Sequence, residues 1–216
     1  MDIQVWSDVI CPWCYIGKRR LEKAVRAFDG SVTVTYRAYQ LDPSPVPEPL
    51  PIKQVMAGKF GGRERAEEMF AHVTAIAAGE GLALDFSRAI AANTFTAHRL
   101  IAWAATRERQ ADMLDALQAA HFTHGVDIGS TDALAAVAGA IGLDEDAARD
   151  YLLTDAGSAA VRTDLAEARE LGITSVPSFV IDGKYAVQGA QETPTLLAAF
   201  EEIARREAAD ATPSSR

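Results

Sequence analysis

The chain has two cysteines in 216 residues, and they stand together as Cys11-Pro12-Trp13-Cys14 directly after a short strand-like run. Thiols three residues apart at the start of a helix can form and break a disulfide through one local movement. In thiol–disulfide exchange a thiolate attacks a disulfide sulfur, and a second thiol resolves the mixed disulfide. Cys11, at a helix N-terminus, would meet unpaired amides and the positive end of the helix dipole, which favour the thiolate. Its sulfur is therefore expected to be exposed and largely deprotonated at neutral pH. Cys14, one turn further in, is placed to resolve and is expected to be the more buried. Pro12 lacks an amide hydrogen and so removes one thiolate donor. Trp13 supplies area rather than charge, an apolar lip for a substrate chain.

A second signal lies far along the chain. Thr174-Ser175-Val176-Pro177-Ser178-Phe179 places a proline immediately before a strand. Pro177 reads either as an ordinary trans connector or as a cis-proline that exposes the Val176 backbone beside the dithiol, ready to pair with an extended peptide. Gln191 precedes the last helix near this loop. It is a candidate contact for a peptide or glutathione carboxylate, or simply a helix-start residue. CxxC is also half of a zinc site, which normally takes four ligands. The remaining candidates would be His72, His98, His121 and His124, which lie elsewhere in the chain. No metal ligand is assigned, because CxxC beside a strand–helix–strand unit in a cytosolic protein points to redox work. His121 falls in phase with Leu114 and Leu117 and reads as a satisfied core or interface histidine. His98 is divided between a structural role and a site role.

These residues need elements to hold them. Residues 2–7 alternate as a strand, 12–28 carry a helical apolar stripe through Ile16, Leu21, Val25 and Phe28, and 32–39 form a second strand. The charged run Lys18-Arg19-Arg20 is expected on the solvated side of that helix. Prolines at 43, 45, 47, 49 and 51 mark an extended connector. From about residue 63 to 172 the chain is alanine-rich with helical periods, punctuated by caps such as Ser130 and Asp144 and by glycine stops. Strand texture returns at 178–181, followed by the hairpin signal Asp182-Gly183 and a second strand at 185–187. Thr193-Pro194 opens a final helix, and 208–216 reads as a small, polar, frayed tail. The expected organisation is one α/β domain built from residues 1–46 and 173–216, interrupted by an all-helical insertion over 47–172.

The formal net charge of −9 argues against sequence-independent binding to nucleic acid or anionic membranes, which attract basic surfaces. No leader pattern and no apolar run of about 18 residues are visible. A cytoplasmic location is expected, where structural disulfides are rare.

Four separated motifs carry a resemblance. Cys11-Pro12-Trp13-Cys14-Tyr15-Ile16-Gly17, Asn93-Thr94 with Ala97-His98-Arg99, Val176-Pro177-Ser178-Phe179 and Gly189-Ala190-Gln191 together resemble the FrnE-like branch of the DsbA family. The likeness runs over nearly the whole chain in the same order. It implies a thioredoxin-like fold with a helical insertion and a cis Val176-Pro177 bond packed on the dithiol. It also implies a nucleophilic Cys11 and a resolving Cys14, with Pro12, Trp13, Val176, Pro177 and Gln191 as substrate contacts. Trp13 stands where periplasmic DsbA has a histidine, so the potential could fall anywhere between about −270 and −120 mV, the span from thioredoxin to DsbA. Some FrnE-like proteins carry a further cysteine pair; its absence excludes a disulfide relay within this chain. The same branch resembles 2-hydroxychromene-2-carboxylate isomerases and kappa-class glutathione transferases, which commonly carry serine at the position of Cys11. The leading expectation is a thiol–disulfide oxidoreductase acting on protein or small-molecule thiols and disulfides. Its redox group is the Cys11–Cys14 disulfide, with no bound cofactor and glutathione as a candidate co-substrate. The alternatives are a glutathione-dependent isomerase or transferase acting on an aromatic or polyketide-like molecule, or a chaperone-like binding module. No nucleic-acid or membrane partner is expected, and either a monomer or a homodimer fits.

Overall fold

The computed structural model describes residues 1–46 and 48–210. Pro47 of the connector and the tail beyond Asp210 lie outside the described residues. Strands β1 (Asp2–Ser7), β2 (Thr33–Ala38), β3 (Ser178–Ile181) and β4 (Tyr185–Gln188) form a sheet of order β2-β1-β3-β4. β1 runs parallel to β2 and antiparallel to β3, and β3 is antiparallel to β4. Helix α1 (Pro12–Ala27) is the crossover that parallel pairing demands. The β3–β4 turn places Asp182 at φ 50° and Gly183 at φ 65°, the left-handed pair that a tight hairpin needs.

Between β2 and β3 lie α2 (Ile52–Lys59), α3 (Arg63–Gly79), α4 (Phe95–Ala105), α5 (Gln110–Phe122), α6 (Thr131–Ala140), α7 (Glu145–Leu153) and α8 (Ser158–Glu170). The final helix, α9, spans Thr193–Asp210. The mixed α/β architecture and the many helices between the strands agree with the expected fold class. Ser130 and Asp144 accept from the Ala133 and Ala147 amides, the capping their residue types suggest.

One sheet face carries Ile3, Val5, Phe179 and Ile181, and is buried with Leu21 and Ala24 of α1 and Leu196, Phe200 and Ile203 of α9. On the other face the Trp6 indole N–H donates to the Asp164 carbonyl of α8 at 3.2 Å. The outer edge of β2 is closed by side chains from the helical segment. Gln110 accepts from the Tyr36 N–H at 3.0 Å and donates to the Tyr36 carbonyl at 2.9 Å, while Asp164 accepts from the Ala38 N–H at 2.9 Å. Open edges invite unwanted pairing, and here the helices occupy this one. Core residues of α4, α5 and α6, among them Leu100, Met113, Leu117 and Leu134, belong to the same buried cluster as the sheet.

The run Lys18-Arg19-Arg20 departs from expectation: Lys18 and Arg20 are buried. Helix α1 is packed by α3, α5 and α9, which leaves it little solvated side. Lys18 pairs with Glu22 and Asp115, and Arg19 reaches Asp115 at 2.7 Å. Arg20 joins Glu80 at 2.7 Å, Glu192 at 2.6 Å and the Ala190 carbonyl at 2.6 Å. Buried cations persist only when paired in this way.

Candidate active site

Cys11 is the N-cap of α1 and Pro12 its first helical residue. The Cys11 carbonyl accepts from the Cys14 amide at 3.0 Å and the Tyr15 amide at 3.3 Å, which starts the helix. Pro12 needs no such acceptor, and its fixed φ suits the first turn. That turn carries no acidic residue to offset the positive end of the dipole. Both cysteines are free thiols.

Cys11 is 4% exposed and Cys14 2% exposed. The exposed sulfur expected at position 11 is therefore corrected. Trp6, Ala168, Ile173 and Val176 share its cluster, with Trp13, Tyr39 and Val180 packed alongside. The Cys11 sulfur lies 3.8 Å from the Val176 carbonyl oxygen, within reach of an S–H donor. Burial, and then the adjoining Cys11 thiol, push the Cys14 thiol well above its ordinary range; the Asp8 amide and the Ser7 hydroxyl pull against them.

The Val176–Pro177 peptide is cis. Pro177 sits on α1 at Gly17, where an added Cβ would lie 2.8 Å from Pro177 Cγ and 3.4 Å from Ala190 Cβ. Glycine in a helix interior costs roughly 0.5–1 kcal/mol against alanine, and here its missing side chain lets the proline loop approach. The Gly189 amide donates to the Pro177 carbonyl at 2.8 Å and closes that loop against β4.

A dithiol at a helix start, a sheet beside it and a cis-proline loop across it invite comparison with known proteins. The DSBA-like thioredoxin domain family profile matches residues 2–201. The chain belongs to that family. It is similar to the crystal structure of probable DsbA oxidoreductase SCO1869 from Streptomyces coelicolor, at 34% identity and a TM-score of 0.88, covering 100% of this chain and 93% of that one. It is 29% identical over 205 residues to the uncharacterized protein YwbO of Bacillus subtilis (strain 168), covering 88% of this chain and 90% of YwbO. A 2-hydroxychromene-2-carboxylate isomerase structure shares the fold, at 17% identity and a TM-score of 0.72, with 98% and 100% of the two chains covered. The family resemblance read from the four motifs and the thioredoxin-like fold both stand.

Within this DsbA-like frame the proposed residues divide. Cys11, Cys14, Val176 and, half-buried, Trp13 share one cluster, with Pro12 between the thiols and Pro177 beside Val176. Gln191 is exposed, and its side-chain amide donates to the Gln188 carbonyl at 2.8 Å, closing its own loop. Trp13 also faces His72 of α3, ring centroids 6.3 Å apart, so α3 reaches the edge of the site. His98 is buried, with Nε2 2.9 Å from the Tyr39 carbonyl and 3.3 Å from Asp8 Oδ1. His121 is fully buried, but it is not the satisfied histidine expected. Among the described residues neither ring nitrogen has a hydrogen-bond partner. Burial lowers its pKa to about 4, opposed in part by the Asp8 charge. Among the described residues no group of three or more His, Cys, Asp or Glu side chains gathers as metal ligands. Nor is any helix among them long and apolar enough to cross a membrane.

Ser7, Asp8 and Gly17 were not singled out individually from sequence. Glycine inside an otherwise regular helix was the available signal for Gly17. Ser7, the last residue of β1, and Asp8, in the turn that follows it, give none.

Proposed function

We propose that this chain is a thiol–disulfide oxidoreductase whose working group is the Cys11–Cys14 dithiol. The observation carrying this reading is the pair of free thiols at the α1 N-terminus, with the Val176 carbonyl 3.8 Å from Cys11. The Cys11 thiolate attacks one sulfur of a substrate disulfide, forming a mixed disulfide and releasing a substrate thiolate. The Cys14 thiolate then attacks the Cys11 sulfur and expels the second substrate thiolate. Two electrons pass to the substrate, and the Cys11–Cys14 bond forms; run backwards, the same steps oxidise a substrate dithiol. Because both cysteines are present, the chemistry uses the chain's own sulfurs and needs no borrowed glutathione thiol.

In this reading Pro12, Trp13, Val176 and Pro177 form the substrate contact surface. An extended segment of a protein or small-molecule disulfide lies along the Val176 backbone, with the Trp13 ring beneath it. Gln191 joins only if it exchanges its bond to Gln188 for one to a substrate carboxylate. The reaction belongs in the cytoplasm, since one CxxC with no further cysteine is the usage of a redox site rather than of structural disulfides.

The test is turnover of insulin and of glutathione disulfide by the native chain and by Cys11→Ser and Cys14→Ser. Cys11→Ser is expected to lose turnover, and Cys14→Ser to accumulate a mixed disulfide visible by mass spectrometry. Equal rates for native chain and Cys11→Ser would sink the reading. Activity that survives loss of Cys14 and requires added glutathione would favour the transferase class.

A further inference from the structure

The exchange steps use two sulfurs and leave unexplained a buried polar group directly behind them. Asp8 is fully buried in the turn between β1 and α1. Its Oδ2 accepts from the Leu41 amide at 2.8 Å, and its Oδ1 lies 3.3 Å from His98 Nε2. The same Nε2 is 2.9 Å from the Tyr39 carbonyl. A carbonyl only accepts, so Nε2 carries the hydrogen and donates to both oxygens. The Asp8 side chain is thus held by the segment after β2 and by α4. Its backbone serves the dithiol: the Asp8 carbonyl accepts from the Cys11 amide at 3.2 Å, and hydrogen bonding by the Asp8 amide and the Ser7 hydroxyl pulls the Cys14 thiol down against its burial.

We propose that Asp8 and His98 are positioning residues for the resolving thiol: His98, anchored on the Tyr39 carbonyl, holds the Asp8 carboxylate so that the Ser7–Asp8 segment keeps its donors on Cys14 as it ionises. This deepens the oxidoreductase reading and rests on it. During resolution Cys14 gives up its proton and its sulfur attacks Cys11. The Cys11–substrate bond breaks, and the departing thiolate takes up a proton. In an apolar pocket the Cys14 thiolate is stabilised by whatever donors already point at it. The ionisable groups around this device are Cys11 and Asp8 at the start of α1, Tyr39 after β2, His98 on α4 and His121 on α5. Charge and geometry act in opposite directions. The Asp8 carboxylate repels a nearby thiolate, so if charge dominated, its removal would ease Cys14 ionisation. If positioning dominates, loosening the pair hinders it.

The experiment uses the full reduced chain and an aromatic disulfide such as 5,5′-dithiobis(2-nitrobenzoate), followed by stopped-flow absorbance from pH 5 to 10. The first thiolate released reports attack by Cys11, and the second reports resolution by Cys14. His98→Phe is expected to slow the second release about tenfold at pH 7 and raise its pH midpoint by about one unit, the two being equivalent for a thiol below its pKa. The first release stays within twofold. His98→Gln, which restores an N–H donor, should recover most of the native rate. Asp8→Asn removes the charge but also one of two acceptor oxygens, and its midpoint should rise as well. Asp8→Asn carries the test should His98→Phe fail to fold. In the native chain the His98 nitrogen shifts should show a protonated Nε2. An unchanged or lowered midpoint in the variants, failure of Gln to rescue, or a bare Nε2 would overturn the inference. A native chain that never releases the second thiolate would overturn the oxidoreductase reading itself.

Discussion

The helical segment grips the start of α1 at two places of opposite character. On one side Phe70 and Phe86 stack at 4.3 Å between ring centroids, Phe86 meets Phe122 edge-on at 5.7 Å, and Tyr15 lies over Phe122 at 6.3 Å. On the other side Asp8, His98 and the Tyr39 carbonyl form a chain of hydrogen bonds. The last turn of α5 serves both, for Phe122 joins the aromatic cluster while the neighbouring His121 lies in the field of Asp8. Aromatic contact is worth about 0.5–1.5 kcal/mol per pair beyond area burial, and it tolerates sliding. Hydrogen bonds contribute no more in net energy but fail beyond narrow limits of distance and angle. The contrast assigns holding to the apolar side and aiming to the polar side.

The largest expected effect lies on the apolar side. Phe122→Ala should cost about 3–5 kcal/mol in urea unfolding, the usual range for a fully buried phenylalanine. The pH midpoint of Cys14 resolution should stay where it is while the protein remains folded. A loss below about 1 kcal/mol would mean that the cluster collapses around the gap and that the comparison overstates its grip.

The next effect belongs to the polar side and depends on pH. His121 titrates near its ordinary 6.5 when unfolded and at about 4 when folded. Its folded pKa is depressed, so the unfolded state gains protons first as pH falls. The stability contribution is intact above pH 6.5 and is lost progressively toward pH 4. At 1.36 kcal/mol per unit this removes about 2 kcal/mol between pH 6.5 and 5. His121→Leu should flatten that portion of the stability curve, measured by urea unfolding at both pH values. An equally steep curve in the variant would move the acid sensitivity to another group.

Gly17→Ala comes third and probes the junction between α1 and the proline loop. The new methyl would stand 2.8 Å from Pro177 Cγ. Overpacking of this kind costs about 1–3 kcal/mol, partly offset by roughly 0.5–1 kcal/mol of helix propensity. Turnover should fall more than stability, since the loop that is displaced carries the Val176 carbonyl. Full turnover in the alanine variant would detach that loop from the reaction.

What was legible in the sequence follows the range of the interactions involved. The dithiol, the Asp182-Gly183 turn, the Ser130 and Asp144 caps and most helices depend on residues within a turn or two of each other. Each left a pattern. Helix α2 left none, because no residue of it is fully buried and no apolar stripe marks it. The burial of Lys18 and Arg20 was invisible for a different reason. Apart from Glu22 on α1 itself, their carboxylates, Asp115, Glu80 and Glu192, are supplied by α5, the end of α3 and the start of α9, and a helical wheel of α1 shows none of these three. Asp8 shows the same blindness at the site. Next to the cysteines it carries no pattern of its own, and only the path of the chain through Tyr39 and Leu41 to α4 brings its carboxylate its partners.

The smallest expected effect asks whether α5 is also attached to α1 through charge. Asp115 takes Lys18 at 3.2 Å and Arg19 at 2.7 Å and is about one-third exposed. Partly solvated pairs of this kind contribute about 0–1 kcal/mol, and Lys18 keeps Glu22 when Asp115 is neutralised. Asp115→Asn should therefore cost under about 1 kcal/mol at low salt. The difference from the native chain should shrink in 1 M salt, where screening acts over about 3 Å. A loss of more than about 2 kcal/mol that ignored salt would be the signature of a cation left buried without its partner. The Lys18 ammonium would then be as firm a tie between α5 and α1 as the Phe122 ring. The division between an apolar side that holds and a polar side that aims would have to give way to one in which charge does both.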